Sequence, residues 1–167
     1  MCLDPPPGGY GVGMTSHRER LLHAGPDAVW AVLADGWLYP LWVVGASRMR
    51  EVDDAWPGAG ARIHHSVGAW PLLVDDETQV VESVPGSLLV LRARVRPWGE
   101  ATVRFSVEAV GAEARVTMAE DVVSGPGSWV PAVVRRPALD WRNTETLRRL
   151  AYLAERRSVS PPLREGR

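Results

Sequence analysis

From Ser87 to Met118, apolar residues recur at every second position through three successive segments. Leu89, Leu91, Ala93 and Val95 share one parity, and Arg92, Arg94 and Arg96 share the other. Trp98-Gly99 turns the chain. Val103, Phe105, Val107 and Ala109 then alternate with Arg104, Ser106 and Glu108, and beyond Gly111 the apolar parity resumes at Ala114, Val116 and Met118. A period of two gives a strand one buried and one solvated face. Consecutive hairpins of this kind predict an antiparallel sheet whose apolar face needs a cover. The cover is a long C-terminal helix, in which Leu139, Leu147, Leu150, Leu153 and Ala154 follow helical spacing and Arg156 and Arg157 suit the negative end of the dipole. Pro137 is expected to start or kink that helix.

Upstream, Ser16 to Ala24 reads as a first strand in which Leu21 and Leu22 leave the inward parity open. Gly25 and Pro26 open a short helix with Asp27 in its first turn and Val29, Val32 and Leu33 on one face. Gly36 suits its C-cap. A second short helix or turn around Pro40 presents Trp37, Tyr39 and Trp42. Ser47 to Val52 is a weak strand, and Trp56-Pro57-Gly58 is a turn. Ala61 to Gly68 alternates, with Ile63, His65 and Val67 on one face and Arg62, His64 and Ser66 on the other. Leu73 to Val84 is a strand that is polar in its first half, turned back by Pro85-Gly86. The expected class is α+β: a curved antiparallel sheet wrapped around its last helix, with two short helices after the first strand. Such a sheet encloses a cavity. Residues 1–14 and 158–167 are Pro-, Gly- or polar-rich and read as disordered tails around one domain at 15–157.

Composition narrows the chemistry. The 167 residues suffice for one domain with a real core. A net charge of -1 gives no reason to expect nucleic acid. All 19 basic residues are arginine, so lysine-based covalent chemistry is excluded. Cys2 is the single cysteine, so neither an internal disulfide nor a thiolate zinc site is possible. No apolar run approaches a membrane span and the N-terminus lacks a signal-peptide pattern, so a cytoplasmic location is the expectation. The 8 Trp against 1 Phe fit core packing or the walls of a cavity.

Gly25-Pro26 through Val29-Trp30, Leu33 to Asp35, Tyr39-Pro40 with Trp42, Trp56-Pro57 with Gly60, Pro85, Glu120 and Leu147 to Glu155 carry a resemblance. Over roughly Ser16 to Arg157 the chain resembles the START-like, Bet v 1-like superfamily, in particular its bacterial polyketide cyclase/dehydrase and lipid-transport group. The resemblance implies a helix-grip fold with a deep pocket between sheet and helix. It does not specify an activity.

Strand parity nominates the pocket. Glu120, two positions beyond Met118, points inward, either as a structural ion-pair partner, with Arg142 a candidate mate, or as a ligand contact. His65 is inward as well, either a hydrogen-bonded core residue or a general acid/base. His64 faces away, so the two histidines cannot share an ion, and no metal or other cofactor is expected. No nucleophile elbow, P-loop or dinucleotide fingerprint occurs. The arginine stripe reads as a solvated sheet face. Trp42, Ile63, Val67, Leu91, Ala93, Phe105, Val107, Val116, Met118 and Trp129 are the candidate ligand-binding residues, with Trp42 and Trp129 at the mouth and Ser124 to Pro131 as a lid. The favoured function is binding of a small hydrophobic or aromatic molecule of polyketide, lipid or isoprenoid type. The alternatives are a polyketide cyclase/dehydratase using His65 and Glu120, and a protein-interaction module of the co-chaperone kind.

Overall fold

The computed structural model describes residues 16–69, 72–95, 99–124 and 132–159. In chain order the elements are β1 (Ser16–Leu22), α1 (Pro26–Leu33), a 3-10 turn (Gly36–Leu38), α2 (Tyr39–Trp42), β2 (Ala46–Val52), β3 (Arg62–Ala69), β4 (Leu72–Val84), β5 (Leu88–Val95), β6 (Gly99–Val110), β7 (Glu113–Ser124) and α3 (Ala132–Val159). The seven strands form one antiparallel sheet in the order β1-β7-β6-β5-β4-β3-β2. β1 and β2 are therefore the two edges, and the chain passes from one to the other through α1 and α2. The sheet curves around α3, which is the helix-grip architecture.

The alternation in sequence becomes the two faces of the sheet. Leu89, Leu91, Ala101, Val103, Phe105, Val107, Val116 and Met118 are buried on the inner face. Leu147, Leu150, Ala151 and Ala154 form the buried seam of α3 and belong to the same core. The outer face is charged and paired across strands. Arg94 lies 3.4 Å from Glu100 and 4.0 Å from Glu77, and Arg104 lies 3.7 Å from Glu82. Glu82, Val90 and Arg104 are in register on adjacent strands, so this last pair spans Val90 and accounts for its burial on the outer side. Exposed pairs of this kind contribute at most about 1 kcal/mol each. Their effect is to neutralise Arg94 and Arg104 across neighbouring strands.

The short helices are held at their ends. Gly25 is the extended N-cap of α1 and Pro26 its first residue. At the other end, Trp56 Nε1 donates to the Leu33 carbonyl at 3.2 Å. Arg157 of α3 donates to the Ala31 carbonyl at 2.6 Å and to Asp35 at 2.9 Å. These bonds satisfy carbonyls that α1 itself leaves open, and they put a cation at its negative end.

Several boundaries differ from those read in the sequence. β1 ends at Leu22, which is fully buried, while Leu21 is exposed, so the inward parity is that of Leu22. Gly36 is not the C-cap of α1, a position held by Ala34. It is a close-approach glycine, since a Cβ there would meet Val52 Cγ1 at 2.7 Å. α3 begins at Ala132, ahead of Pro137, and continues through Ser158 and Val159. Ser158 Oγ donates back to the Glu155 carbonyl at 2.7 Å and holds that last turn. A bulge at Val81 separates the Val80–Leu91 pair from the Glu82–Val90 pair. It shifts the inward parity within β4 and leaves Val81 exposed. Residues 1–15 and 160–167, and the lid expected at Ser124 to Pro131 beyond its first residue, lie outside the described residues. Among the described residues no helix is long and apolar enough to cross a membrane.

The seam of α3 yields a direct test. Leu150 has no solvent exposure. Leu150→Ala is expected to lower stability by about 2–5 kcal/mol in urea unfolding. A loss near zero would mean that this face of α3 does not pack on the sheet.

Candidate functional site

One cavity lies between the inner face and α3, and its volume is about 60 Å³. Its floor is apolar: Leu91 and Ala93 of β5, Val103 and Phe105 of β6, and Met118 of β7. Tyr39, His65 and Asp76 stand at the β3–β4 side, and Glu120 and Arg142 at the β7 side. The connector Val43 to Ala46 and Thr146 of α3 complete the wall.

Backbone geometry puts each polar group there. Asp76, Thr78 and Val80 share one parity on β4 and are all buried. Asp76 opposes His65 in register, and Thr78 opposes Ala93. Tyr39 is the first residue of α2 and Trp42 closes the same turn, so both turn inward while Trp37 is left exposed. Tyr39 packs against Trp42 at 5.2 Å between ring centroids and against His65 at the same distance.

Tyr39, Thr78 and His65 form a buried chain. The Tyr39 hydroxyl lies 3.2 Å from Thr78 Oγ1, which lies 3.0 Å from His65 Nε2. Three protons must be placed on it. If Tyr39 donates to Thr78 and Thr78 donates to Nε2, only the ring proton on Nδ1 is left without an acceptor. The reverse order strands both the tyrosine proton and the Nδ1 lone pair. The first order leaves fewer buried groups unpaired and is assigned on that ground. Burial pushes the Tyr39 phenol up to about 12, so it keeps its proton and acts as a donor. Burial also lowers the pKa of His65, against a weaker opposing influence of the Ser66 backbone, so the ring is held neutral. Nδ1 of His65 has no hydrogen-bond partner of good geometry.

At the other side Glu120, 1% exposed, forms an ion pair with Arg142 through Oε1. Its second oxygen, Oε2, is buried and without a partner. The Arg142 side chain is one-third exposed, so this end of the cavity approaches solvent. The pair belongs to the cavity lining and is not sealed away from it.

The residues nominated from sequence divide into two sets. His65, Glu120, Val67, Leu91, Ala93, Phe105 and Met118 line the cavity. Ile63, Val107 and Val116 are in the packed core and do not line it. Parity selects the inner face, but the face is longer than the cavity, and parity says nothing about position along the strand. Trp42 is also fully buried, edge-on to Tyr39 and Phe105, so it backs the wall and is not at a mouth. Trp129 lies outside the described residues. Tyr39, Asp76, Thr78 and Thr146 were not nominated. The available signal was the shared parity of Asp76, Thr78 and Val80. Their polarity hid it, because polar strand residues read as solvent-facing.

No protein-family model and no curated protein matches the sequence. Solved structures do match the fold. The di-domain aromatase/cyclase StfQ of the steffimycin biosynthetic pathway aligns with a TM-score of 0.68 at 11% identity, over 87% of this chain and 51% of that one. The Zhui aromatase/cyclase of Streptomyces sp. R1128 aligns at 0.62 with 14% identity, over 85% and 93%. The protein Ara h 8.0201 aligns at 0.63 with 11% identity, over 84% and 97%. The chain shares the helix-grip fold of these solved structures.

A neutral buried His65 makes a signed prediction. Below about pH 6.5, a histidine released by unfolding takes up a proton that the folded ring resists. The stability associated with neutral His65 is thus complete above that pH and is lost as pH falls toward the lowered folded value. The stability difference between wild type and His65→Gln should therefore shift against the wild type between pH 7.5 and 5. His23, whose pKa is raised by its hydrogen bond to Glu113, acts in the opposite sense but is common to both proteins and cancels. A pH-independent difference would show that His65 titrates alike in the two states.

Proposed function

We propose that this protein binds a small molecule with an apolar body and a polar end in the cavity between the sheet and α3. The observation that carries this reading is the two-sided chemistry of the lining. Leu91, Ala93, Phe105 and Met118 offer an apolar floor, while His65 and Glu120 each keep a buried polar atom without a partner. Native interiors satisfy such atoms, so a group that arrives with a ligand is the economical way to complete them. The volume of about 60 Å³ holds a few waters and is well below the roughly 300 Å³ of a pocket for a drug-sized ligand. A ligand of polyketide, lipid or isoprenoid size therefore binds with widening of the cavity.

A second reading is favoured by the Tyr39–Thr78–His65 chain. A neutral histidine with a fixed tautomer, facing the same cavity as a carboxylate–guanidinium pair, is suited to proton transfer on a bound polyketide-like chain. The aromatase/cyclases that share the fold support a cyclase or dehydratase in that sense. In this reading the cavity walls hold the flexible substrate in one folded conformer, and His65 and Glu120 exchange protons with it.

Ala93 separates the readings from no binding at all. It is a small residue on the floor, opposite Thr78 and Ala101. Ala93→Trp is expected to abolish the fluorescence enhancement of N-phenyl-1-naphthylamine while leaving the unfolding transition cooperative. Unchanged enhancement would place the binding site elsewhere, and mass spectrometry under native conditions would show whether a molecule co-purifies. For the second reading, a poly-β-keto substrate should give altered products with His65→Ala and with Glu120→Gln. The same products in the same yield from wild type and both variants would leave binding alone.

A further inference from the structure

Resting on the binding reading above, we infer that the cavity selects an uncharged ligand bearing a hydroxyl donor and rejects carboxylates, with the Glu120–Arg142 pair as the selecting device. Glu120 Oε2 is a carboxylate oxygen, buried with its residue at 1% exposure, lining the cavity and without a partner. A carboxylate oxygen can only accept, so what completes it is an O–H or N–H of the ligand.

The charges around the cavity point the same way. Among its described lining residues the cations are Arg142 and Arg94, and the acids are Glu120 and Asp76. Arg142 is neutralised by Glu120. Arg94 is shared between Glu100 and Glu77 on the outer face. An incoming carboxylate would lose its water shell and find no cation whose charge is uncompensated among the described lining residues. A neutral hydroxyl meets no such barrier. At the opposite side His65 Nδ1, carrying the ring proton in the assignment above, donates to a carbonyl or ether oxygen of the same molecule. The ligand class is therefore a neutral hydroxyl compound with a second, accepting oxygen on an apolar frame. A fatty acid or other anion-headed lipid does not fit.

The pair also explains why selection does not require a rigid pocket. Oε1 holds Arg142, so the carboxylate is fixed in place and Oε2 is aimed by the same contact. Removing the negative charge while keeping the shape frees Arg142 for an anion.

The test uses three small aromatic probes of similar size on the whole protein at pH 7, read by calorimetry. Phenol is neutral there, because phenolic hydroxyls titrate near pH ~10. Anisole has no donor, and benzoate carries the charge. Phenol is expected to bind at least about tenfold more tightly than either, and Glu120→Gln is expected to bring benzoate to equal or tighter binding than phenol. Binding of anisole or benzoate as tight as that of phenol in the wild type overturns the inference, while binding of N-phenyl-1-naphthylamine that is lost in Ala93→Trp leaves the cavity reading intact. Failure of all three probes overturns the inference, and failure of the naphthylamine as well overturns both. If Glu120→Gln does not fold, the wild-type series decides the matter by itself.

Discussion

Everything in this structure depends on the burial of one sheet face against one helix. The inner residues of β5, β6 and β7 cannot be left in water, and the seam of Leu147, Leu150, Ala151 and Ala154 is what removes them from it. At roughly 25 cal/mol per Å² of apolar surface, this contact outweighs the surface ion pairs on the outer face. The curvature of the sheet, the position of α1 under the end of α3, and the existence of a cavity all follow from that single packing arrangement. A cavity arises where the seam gives way to polar residues: α3 presents Leu147 and Leu150 to the core but Arg142 and Thr146 to the cavity.

The polar groups at the cavity form two units joined by an apolar floor. One is a hydrogen-bonded chain from Tyr39 through Thr78 to His65, in which burial keeps the phenol protonated and the imidazole neutral. The other is the Glu120–Arg142 pair. Each satisfies most of its own needs and leaves one atom open. Binding and proton transfer make similar demands on such a lining, which is why the two functional readings share residues. They differ in whether the bound molecule is changed, a distinction of chemistry and not of architecture.

Much of the fold was legible because period-two alternation and helical spacing are direct consequences of backbone geometry. The runs at Leu89 to Ala93, Val103 to Val107 and Ala114 to Met118 could face only one way. The helix at Leu147 to Ala154 was equally plain. The site was legible in part. Parity carried from Met118 to Glu120, and from Ile63 to His65, because those strands are regular. It was lost on β4, where inward positions are Asp76 and Thr78 and where the extra residue at Val81 resets the phase. Depth along a strand was illegible throughout, since Val107 and Leu91 look alike in sequence and only one borders the cavity. Trp42 illustrates the same limit: it was expected near the mouth, and its place in a one-turn helix, packed against Tyr39 and Phe105, puts it in the core.

The connector Val43 to Ala46 is part of the cavity wall and runs directly into β2, an edge strand that pairs only with β3 and does so with two register shifts. It is held by Val43 N–H to the Tyr39 carbonyl at 2.9 Å, by Val44 N–H to Thr146 Oγ1 at 3.4 Å and by Gly68 N–H to the Gly45 carbonyl at 3.2 Å, with Val43 and Ala46 packed against the core. Gly45 sits at φ +99°, with open space where a side chain would be. The floor of the cavity, by contrast, is made of interior strands bonded on both sides. Compliance is therefore distributed unevenly. One wall is held by strands paired on both sides and the other by a strand paired at a single margin, so the widening that the proposed ligand requires falls on the β2 side.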